Sequence, residues 1–134
     1  MSLEEATALV RRLYTDFDRG TLDSFAELIG PGFTASVLGT TTLDWSGFKQ
    51  FGDAFREAFP NGRHEFDYFV PARDMVVTVG RYRGTHTGPI NGIAPTHAEL
   101  DLPVMHLDRV ENGKLVEHRG LANELDFMRQ LSVR

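Results

Sequence analysis

The sequence predicts an α+β domain, in which three amino-terminal helices pack on a curved, mostly antiparallel sheet and a short helix closes the carboxyl end. Two patterns predict this class. Apolar residues recur at helical spacing as far as residue 60, and apolar and polar residues alternate from His64 onward. The 134 residues, of which 41% are hydrophobic and 25% charged, suit one globular domain spanning residues 1–134.

Each predicted helix lies between residues that cap or break helices. The first carries apolar residues from Leu3 to Phe17, the second is shorter, and the third places phenylalanines on one face. A short strand at 33–37 and small polar residues at 39–42 separate the second helix from the third. The bounding residues are Ser2, Glu5 and Gly20 for the first helix, Thr21, Gly30 and Pro31 for the second, and Pro60, Asn61 and Gly62 after the third.

Alternating residues in the second half of the chain predict the sheet. A loop rich in glycine and proline, residues 87–96, interrupts the alternation, and a short helix at 124–131 follows the last strand. No repeat, linker or low-complexity segment divides the chain. The predicted strands are 64–70, 75–86, 98–110 and 114–123.

The register of the last hairpin decides which side chains share a face of the sheet. An Asn-Gly pair at 112–113 predicts its turn. A two-residue turn pairs His106 with Arg119, whereas a three-residue turn with a glycine bulge pairs Met105 with Arg119 and brings Arg109 to that face. The sequence leaves both registers open.

Composition excludes several classes of function. The formal net charge of −5 has the wrong sign for a surface that follows nucleic-acid phosphates. Without cysteine, the chain has no disulfide, thiolate metal site or cysteine nucleophile. The amino terminus lacks a basic start followed by an apolar run, and no stretch approaches the roughly 18 consecutive apolar residues of a membrane span. We therefore expect a cytoplasmic protein with no nucleic-acid partner and no membrane partner.

Several short motifs in the chain resemble successive blocks of one family. Their order and spacing are similar to those of the SnoaL-like polyketide cyclases, which belong to the nuclear transport factor 2-like superfamily, over roughly residues 5–131. The resemblance implies the cone fold of that superfamily, which often encloses an apolar pocket between helices and sheet. The motifs are AFP at 58–60, GTHTG at 84–88, GIAPT at 92–96, RVENGKLVEH at 109–118 and RQL at 129–131.

The resemblance implies an enzyme that closes a ring in a polyketide methyl ester by intramolecular aldol condensation, without metal or organic cofactor. Related members of the family are proposed hydroxylases. The aldol reaction needs a base for a C–H flanked by carbonyl groups, and hydrogen-bond donors for the enolate and the new alkoxide. In the family, an aspartate near the end of the last strand supplies the acid–base group. Aligning the VEH and RQL motifs places Asn123 there and Arg119 at the usual tryptophan, and an amide cannot abstract a proton at neutral pH.

The predicted catalytic residues are Asn123, Arg119 and His106. Arg119 stays protonated and has five donors, and Asn123 offers a donor and an acceptor, so together they would hold an enolate or a ligand carboxylate. His106 would act as the base because an imidazole titrates near neutral pH. The structural alternatives stay open: Asn123 as the N-cap of the last helix, Arg119 on a surface or interface, and His106 as an ordinary hydrogen-bonded strand residue.

The predicted pocket wall is mostly aromatic, as in other small-molecule sites. For most of these side chains ordinary core packing is the alternative. For His86, within the GTHTG motif, the alternative to ligand contact is a hydrogen bond to the loop backbone. The wall residues are Tyr14, Phe17, Trp45, Phe51, Phe55, Tyr68, His86, Met105, Arg109 and Leu121.

We expect no metal site, because the five histidines include neither a helical two-histidine motif nor a histidine-rich tract. Several carboxylates offer alternative acid–base groups. The residues Glu99, Asp101 and Asp108, and the pair Glu65 and Asp67, alternate along strands, which places them on a solvated face of the sheet.

Three hypotheses about function follow from this sequence. The first is a cofactor-independent enzyme that acts by proton transfer on a carbonyl-rich, polyketide-like small molecule, as a cyclase, lyase or isomerase. The second is a protein that binds an anionic or aromatic ligand without catalysis. The third is a structural homo-oligomer with a vestigial pocket. A homodimer or larger assembly is expected because the outer face of the sheet otherwise stays uncovered.

Overall fold

A computed structural model describes residues 1–38 and 41–132. Most helical residues lie in its first half, four of its strands lie in its second half, and a short helix ends it, so the predicted α+β class is confirmed. Its elements are α1 (Leu3–Arg19), a 3-10 helix (Leu22–Leu28), β1 (Ile29–Val37), β2 (Thr41–Leu43), α2 (Trp45–Ala58), β3 (Arg63–Pro71), β4 (Met75–Thr85), β5 (Glu99–Glu111), β6 (Lys114–Ala122) and α3 (Glu124–Gln130).

Local sequence sets the limits of α1. Ser2 and Glu5 form the predicted capping box: the backbone N–H of Glu5 donates to the Ser2 hydroxyl at 3.0 Å, and the backbone N–H of Ser2 donates to the Glu5 carboxylate at 2.8 Å. Gly20 ends the helix in a left-handed conformation, with φ of 73°. Between these caps, residues such as Val10 and Leu13 are buried against the sheet.

The first half of the chain departs from the prediction at the second helix. Leu22–Leu28 forms a 3-10 helix, and β1 begins directly after it at Ile29, earlier than predicted. Gly30 and Pro31, which predicted a chain break, lie inside β1 where its pairing with β6 is irregular. Gly30 allows the two strands to approach there, since a Cβ at this position would lie 2.7 Å from the Val116 side chain.

One mixed six-stranded sheet runs through the described residues in the order β2-β1-β6-β5-β4-β3. β1 and β6 are parallel and all other neighbours are antiparallel, so the mostly antiparallel sheet is confirmed. β2 is a strand that the sequence did not predict. It begins within the polar stretch 39–42, of which residues 39 and 40 lie outside the described part. Helices α1 and α2 share one apolar core with the inner face of the sheet.

The last hairpin has a register that neither sequence-based alternative anticipated. Its turn is the two-residue turn at 112–113, where φ is 53° and 77°. The pairing shifts by one residue at Val116, a bulge that lets Leu115 and Val116 both be buried. The pairs beyond the bulge include His106 with Gly120, Leu107 with Arg119 and Asp108 with His118.

The helices of the described residues include none that is both long enough and apolar enough to span a membrane.

Candidate active site

A cavity of about 60 Å³ lies between the helices and the inner face of the sheet. Three histidines, His64, His106 and His118, line it together with aromatic and aliphatic side chains. They come from three different strands, β3, β5 and β6, so only the folded sheet brings them together. An apolar cavity with a few placed polar groups is the usual form of a small-molecule site.

The first acid–base pair in this cavity joins β5 and β6. His118 Nδ1 lies 2.7 Å from Asp108 Oδ1, and the Tyr14 hydroxyl donates to Asp108 Oδ2 at 2.5 Å. Asp108 has no exposed surface and His118 is 4% exposed. An ionised carboxylate only accepts hydrogen bonds, so a neutral imidazole that donates to Asp108 through Nδ1 has its lone pair on Nε2. The carboxylate therefore fixes both the orientation and the tautomer of the imidazole.

Tyr14 lies behind the histidines and keeps Asp108 hydrogen-bonded. Burial raises the pKa of Tyr14 well above its ordinary 10.0, and the charge of Asp108 raises it further. The hydroxyl thus stays protonated and donating. The Tyr14 ring also packs against all three imidazoles, at centroid distances of 5.0 Å to His64, 4.7 Å to His106 and 6.1 Å to His118.

His106 is a neutral imidazole in the middle of the site. Burial lowers its pKa well below the ordinary 6.5, and the neighbouring His64 and His118 lower it further. Its Nδ1 lies 3.0 Å from the hydroxyl of Thr78, a fully buried residue. A neutral imidazole has one donor and one acceptor nitrogen, and a hydroxyl matches either tautomer. His106 therefore offers a hydrogen bond to the cavity without adding a charge.

We expect His106 to make the fold less stable in mild acid. Above the unfolded-state pKa of about 6.5, His106 is neutral in both the folded and the unfolded chain. Its contribution to stability is then complete. Below that value the unfolded chain binds a proton that folded His106 rejects, so the free energy of unfolding falls as the pH drops toward the lowered folded-state pKa. Denaturant unfolding at about pH 7.5 and about pH 5.5 should show a larger loss for the unmodified protein than for His106→Gln. Equal losses would contradict this.

A second acid–base pair joins the end of α1 to the start of β3. His64 Nδ1 lies 2.7 Å from Asp18 Oδ1, and the His64 backbone N–H donates to Asp18 Oδ2 at 2.7 Å. The Asp18 side chain is 18% exposed, so this pair lies nearer to solvent than the sealed Asp108. Ring centroids are 5.4 Å apart for His64 and His106, and 5.5 Å apart for His106 and His118. In the part of the chain that is described, no group of three or more histidine, aspartate or glutamate side chains is arranged to hold a metal ion.

Gly120 leaves open the space that two of the imidazoles face. A Cβ at this position would lie 3.4 Å from His118 Nε2 and 3.9 Å from His106 Nε2. Among the described residues, the buried side-chain polar atoms without a hydrogen bond are Trp45 Nε1 and His86 Nε2. His106 Nε2 and His118 Nε2 do not belong to this group, so neither nitrogen is sealed in the protein. A group bound above Gly120 would contact both nitrogens.

Arg119 and Asn123, two of the predicted catalytic residues, lie outside this cavity. Arg119 is on the outer face of the sheet, with 65% of its side chain exposed and its Nε 3.2 Å from Glu117. The predicted inward orientation is thus corrected: on β6 the inward residues are His118 and Gly120. Because β6 ends at Ala122, Asn123 takes its orientation from the helix that follows.

Asn123 caps α3, since its side-chain oxygen accepts a hydrogen bond from the Asp126 backbone N–H at 2.8 Å. Asn123→Ala should therefore lower the free energy of unfolding by about 1 kcal/mol, whereas Asn123→Asp keeps the cap. Denaturant unfolding of both variants measures this difference. A folded Asn123→Ala protein that has lost its activity would instead support the catalytic role predicted for this residue.

The other predicted wall residues divide into two groups. Phe17, Phe51 and Phe55 line the cavity with His106, and Leu121 borders the cavity from the outward position that pairs with Met105. Those that the structure places elsewhere are Trp45, which packs on phenylalanines of the core, His86, which lies beneath the 87–96 loop, and Tyr68, Met105 and Arg109, which lie on the outer face of the sheet.

His86 follows the structural alternative. Its Nδ1 accepts a hydrogen bond from the Thr96 backbone N–H at 3.2 Å and lies 2.9 Å from the Thr96 hydroxyl. The ring is fully buried and packs against Phe59, at a centroid distance of 5.5 Å. It ties the two sides of the loop together at a distance from the three histidines.

Asp108 lies on the inner face of the sheet, and the predicted position on the solvated face is wrong. Glu99 and Asp101 do lie at less buried positions of β5, but Asp108 has the opposite parity. It shares the inner face with Leu102 and Val104, which are buried. The period of two along β5 was a signal that could have placed Asp108 and His106 on the same side.

An apolar cavity that contains imidazole–carboxylate pairs, enclosed by helices and a mixed sheet, defines this protein as a small α+β domain suited to acid–base chemistry on a small molecule. The chain belongs to the SnoaL-like polyketide cyclase family, whose family model matches residues 8–131. The resemblance seen in the sequence motifs is thereby confirmed.

Three solved structures illustrate the similarity in fold. A candidate SnoaL-like polyketide cyclase from Jannaschia sp. CCS1 is 22% identical, with a TM-score of 0.89 over 98% of this chain and 94% of that chain. AclR, a candidate hydroxylase from Streptomyces galilaeus, is 21% identical, with a TM-score of 0.85 over 97% of each chain. IdmH, a candidate polyketide cyclase from Streptomyces antibioticus, is 26% identical, with a TM-score of 0.82 over 96% of this chain and 99% of that chain. Comparison with functionally curated proteins yields no match.

Proposed function

We propose that this SnoaL-like protein transfers protons on a carbonyl-rich, polyketide-like small molecule, in an aldol cyclisation or a related step, without metal or organic cofactor. The observation that supports the proposal is the buried His118–Asp108 pair, whose free Nε2 opens on the cavity. An imidazole held by a carboxylate is a general base suited to neutral pH. Membership of the SnoaL-like family supports the same chemistry.

In the proposed reaction, His118 Nε2 removes a proton from a carbon flanked by carbonyl groups. The C–H electron pair moves into an enolate, whose oxygen accepts a hydrogen bond from His106 in the tautomer protonated at Nε2. Thr78 supports that tautomer when its hydroxyl donates to Nδ1. The enolate carbon attacks a second carbonyl group of the same molecule, and the new alkoxide takes the proton back from His118. Asp108 stabilises the imidazolium in between.

The experiment uses methyl 4-(2-acetylphenyl)-3-oxobutanoate, a keto ester whose acidic methylene group lies between the ester and ketone carbonyls and closes a six-membered ring when its carbon attacks the acetyl group. Nuclear magnetic resonance in deuterium oxide follows exchange at its acidic methylene group and the formation of the closed ring. We expect the protein to accelerate exchange above the buffer rate. His97→Asn, a change at an exposed histidine outside the cavity, serves as the control. No acceleration of either process, with this keto ester or with other aromatic polyketide methyl esters, would overturn catalysis.

We also propose that the protein forms a homodimer through the outer face of its sheet. A row of cross-strand neighbours, Tyr68, Val79, Met105 and Leu121, runs over β3, β4, β5 and β6. Tyr68, Met105 and Leu121 are 64%, 50% and 60% exposed. A contiguous exposed apolar stripe of this kind is typical of an interaction surface. A second copy would cover it symmetrically.

Sedimentation at micromolar concentration should therefore show at least a dimer. Met105→Lys places a charge at the centre of the row, which association would bury without a partner, so this variant should shift the population to monomer. Ala26→Lys adds the same charge at an exposed site away from the sheet and should leave the assembly unchanged. An unmodified protein that sediments as a monomer would contradict the proposal.

A further inference from the structure

We propose that the space above Gly120 is a subsite for the small end of a neutral enol, and that this glycine limits how large that end can be. The chemical class is a 1,3-dicarbonyl compound with a methyl-sized end and a larger apolar body. The choice of an enol rests on the proposed function, whereas the size limit rests on the cavity alone.

The size of the cavity sets the first limit. Its volume of about 60 Å³ is less than half of the roughly 150 Å³ apolar cavity that holds one benzene molecule. A ring therefore does not fit inside, and only a few heavy atoms can enter. The body of a larger ligand stays at the mouth, where Leu38 offers partly exposed apolar surface.

The two imidazoles set the chemistry of the part that enters. His118 Nε2 is an acceptor because Nδ1 donates to Asp108, and neutral His106 supplies a donor in the tautomer protonated at Nε2. The enol of a 1,3-dicarbonyl carries one hydroxyl donor and one carbonyl acceptor close together, which matches this pair. A carboxylate has no proton to donate to His118, so an anionic acid is the poorer ligand.

The glycine itself is not required by the backbone. Gly120 does not have a positive φ, and glycine inside a strand is less stable than alanine. A methyl group there would lie 3.2 Å from His106 Cδ2 and 3.4 Å from His118 Nε2, which fills the space between the rings. The glycine keeps this space open, so a ligand can approach the strand closely between the two rings.

The test compares two neutral probes, benzoylacetone, which has a methyl end, and dibenzoylmethane, which has phenyl groups at both ends. Calorimetric titration near neutral pH should show that the unmodified protein binds benzoylacetone at least about tenfold more tightly. Gly120→Ala should weaken benzoylacetone binding by about tenfold or more, because the added methyl occupies the subsite.

Val104→Ala is the reciprocal variant, which enlarges the same cavity from the β5 side and does not depend on the folding of Gly120→Ala. It should bind dibenzoylmethane more tightly than the unmodified protein does. Equal affinity for the two probes, no binding of benzoylacetone, or affinities unchanged in both variants would overturn the subsite. Size discrimination without proton exchange on methyl 4-(2-acetylphenyl)-3-oxobutanoate would uphold the subsite and refute the proposed catalysis. Exchange without size discrimination would do the reverse.

Discussion

His118→Gln should reduce the rate of deuterium exchange on methyl 4-(2-acetylphenyl)-3-oxobutanoate by about 10²–10⁴-fold, the range that general acid–base groups contribute. The glutamine amide has no basic nitrogen, so the cavity loses its base. Its N–H group can still donate to Asp108, which keeps the buried carboxylate hydrogen-bonded and the fold in place. The rate is measured by nuclear magnetic resonance, and denaturant unfolding verifies the fold.

The control for this variant is His97→Asn, which should exchange at the unmodified rate. If folded His118→Gln kept most of the activity, the base would lie elsewhere. His64 is then the next group to replace, because its Nδ1 is held by Asp18 in the same way and its ring lines the same cavity. If His64→Gln lost the exchange activity and His118→Gln kept it, the proposed base would lie on β3 and not on β6.

The parts of this fold that sequence predicts well are those set by neighbours in the chain. The Ser2 and Glu5 capping box, the helical spacing of α1 and α2, and the Asn-Gly turn at 112–113 all depend on residues a few positions apart. Leu22–Leu28 has the apolar spacing of a short helix but forms a 3-10 turn that leads directly into β1. There the tertiary pairing of β1 with β6 overrides the break that Gly30 and Pro31 suggest locally.

The candidate site was harder to predict, because its groups meet through register and tertiary contact. The bulge at Val116 shifts β6 by one residue, and without it His118 would not pair with Asp108. The Asp18–His64 contact joins residues that are 46 positions apart, with no pattern that links them. The alternation of residues along β5 places Asp108 on the same face as buried apolar residues. A carboxylate in such a position is a candidate for a functional role.

Alignment with the family explains why Asn123 attracted the prediction. The alignment gives the family's acid–base role to position 123. In this chain that residue caps a short helix, and its side-chain oxygen accepts a hydrogen bond from the Asp126 backbone N–H. His106, Asp108 and His118 are among the buried polar groups of the inner face, and the two imidazoles line the cavity. Function within a shared fold is set by the site rather than by the architecture.

Asp108→Ala should lower the free energy of unfolding by about 3–5 kcal/mol, a larger loss than any other substitution considered for this protein. Asp108 is fully buried, and its removal leaves both the Tyr14 hydroxyl and the His118 Nδ1–H without an acceptor. Asp101→Ala is the matched control on the same strand. Its carboxylate pairs with Arg81 at 2.9 Å in an exposed position, so its loss should cost less than about 1 kcal/mol.

Asp108→Asn separates the positioning role of this carboxylate from its role in stability. The amide keeps the volume and one acceptor oxygen, so it should destabilise the fold less than alanine does. When its NH₂ group donates to His118 Nδ1, the imidazole proton moves to Nε2, and the lone pair that would take the substrate proton is lost. Exchange should then fall about as far as in His118→Gln while the protein stays folded. An Asp108→Asn protein that exchanged at the unmodified rate would show that the carboxylate does not set the tautomer of His118.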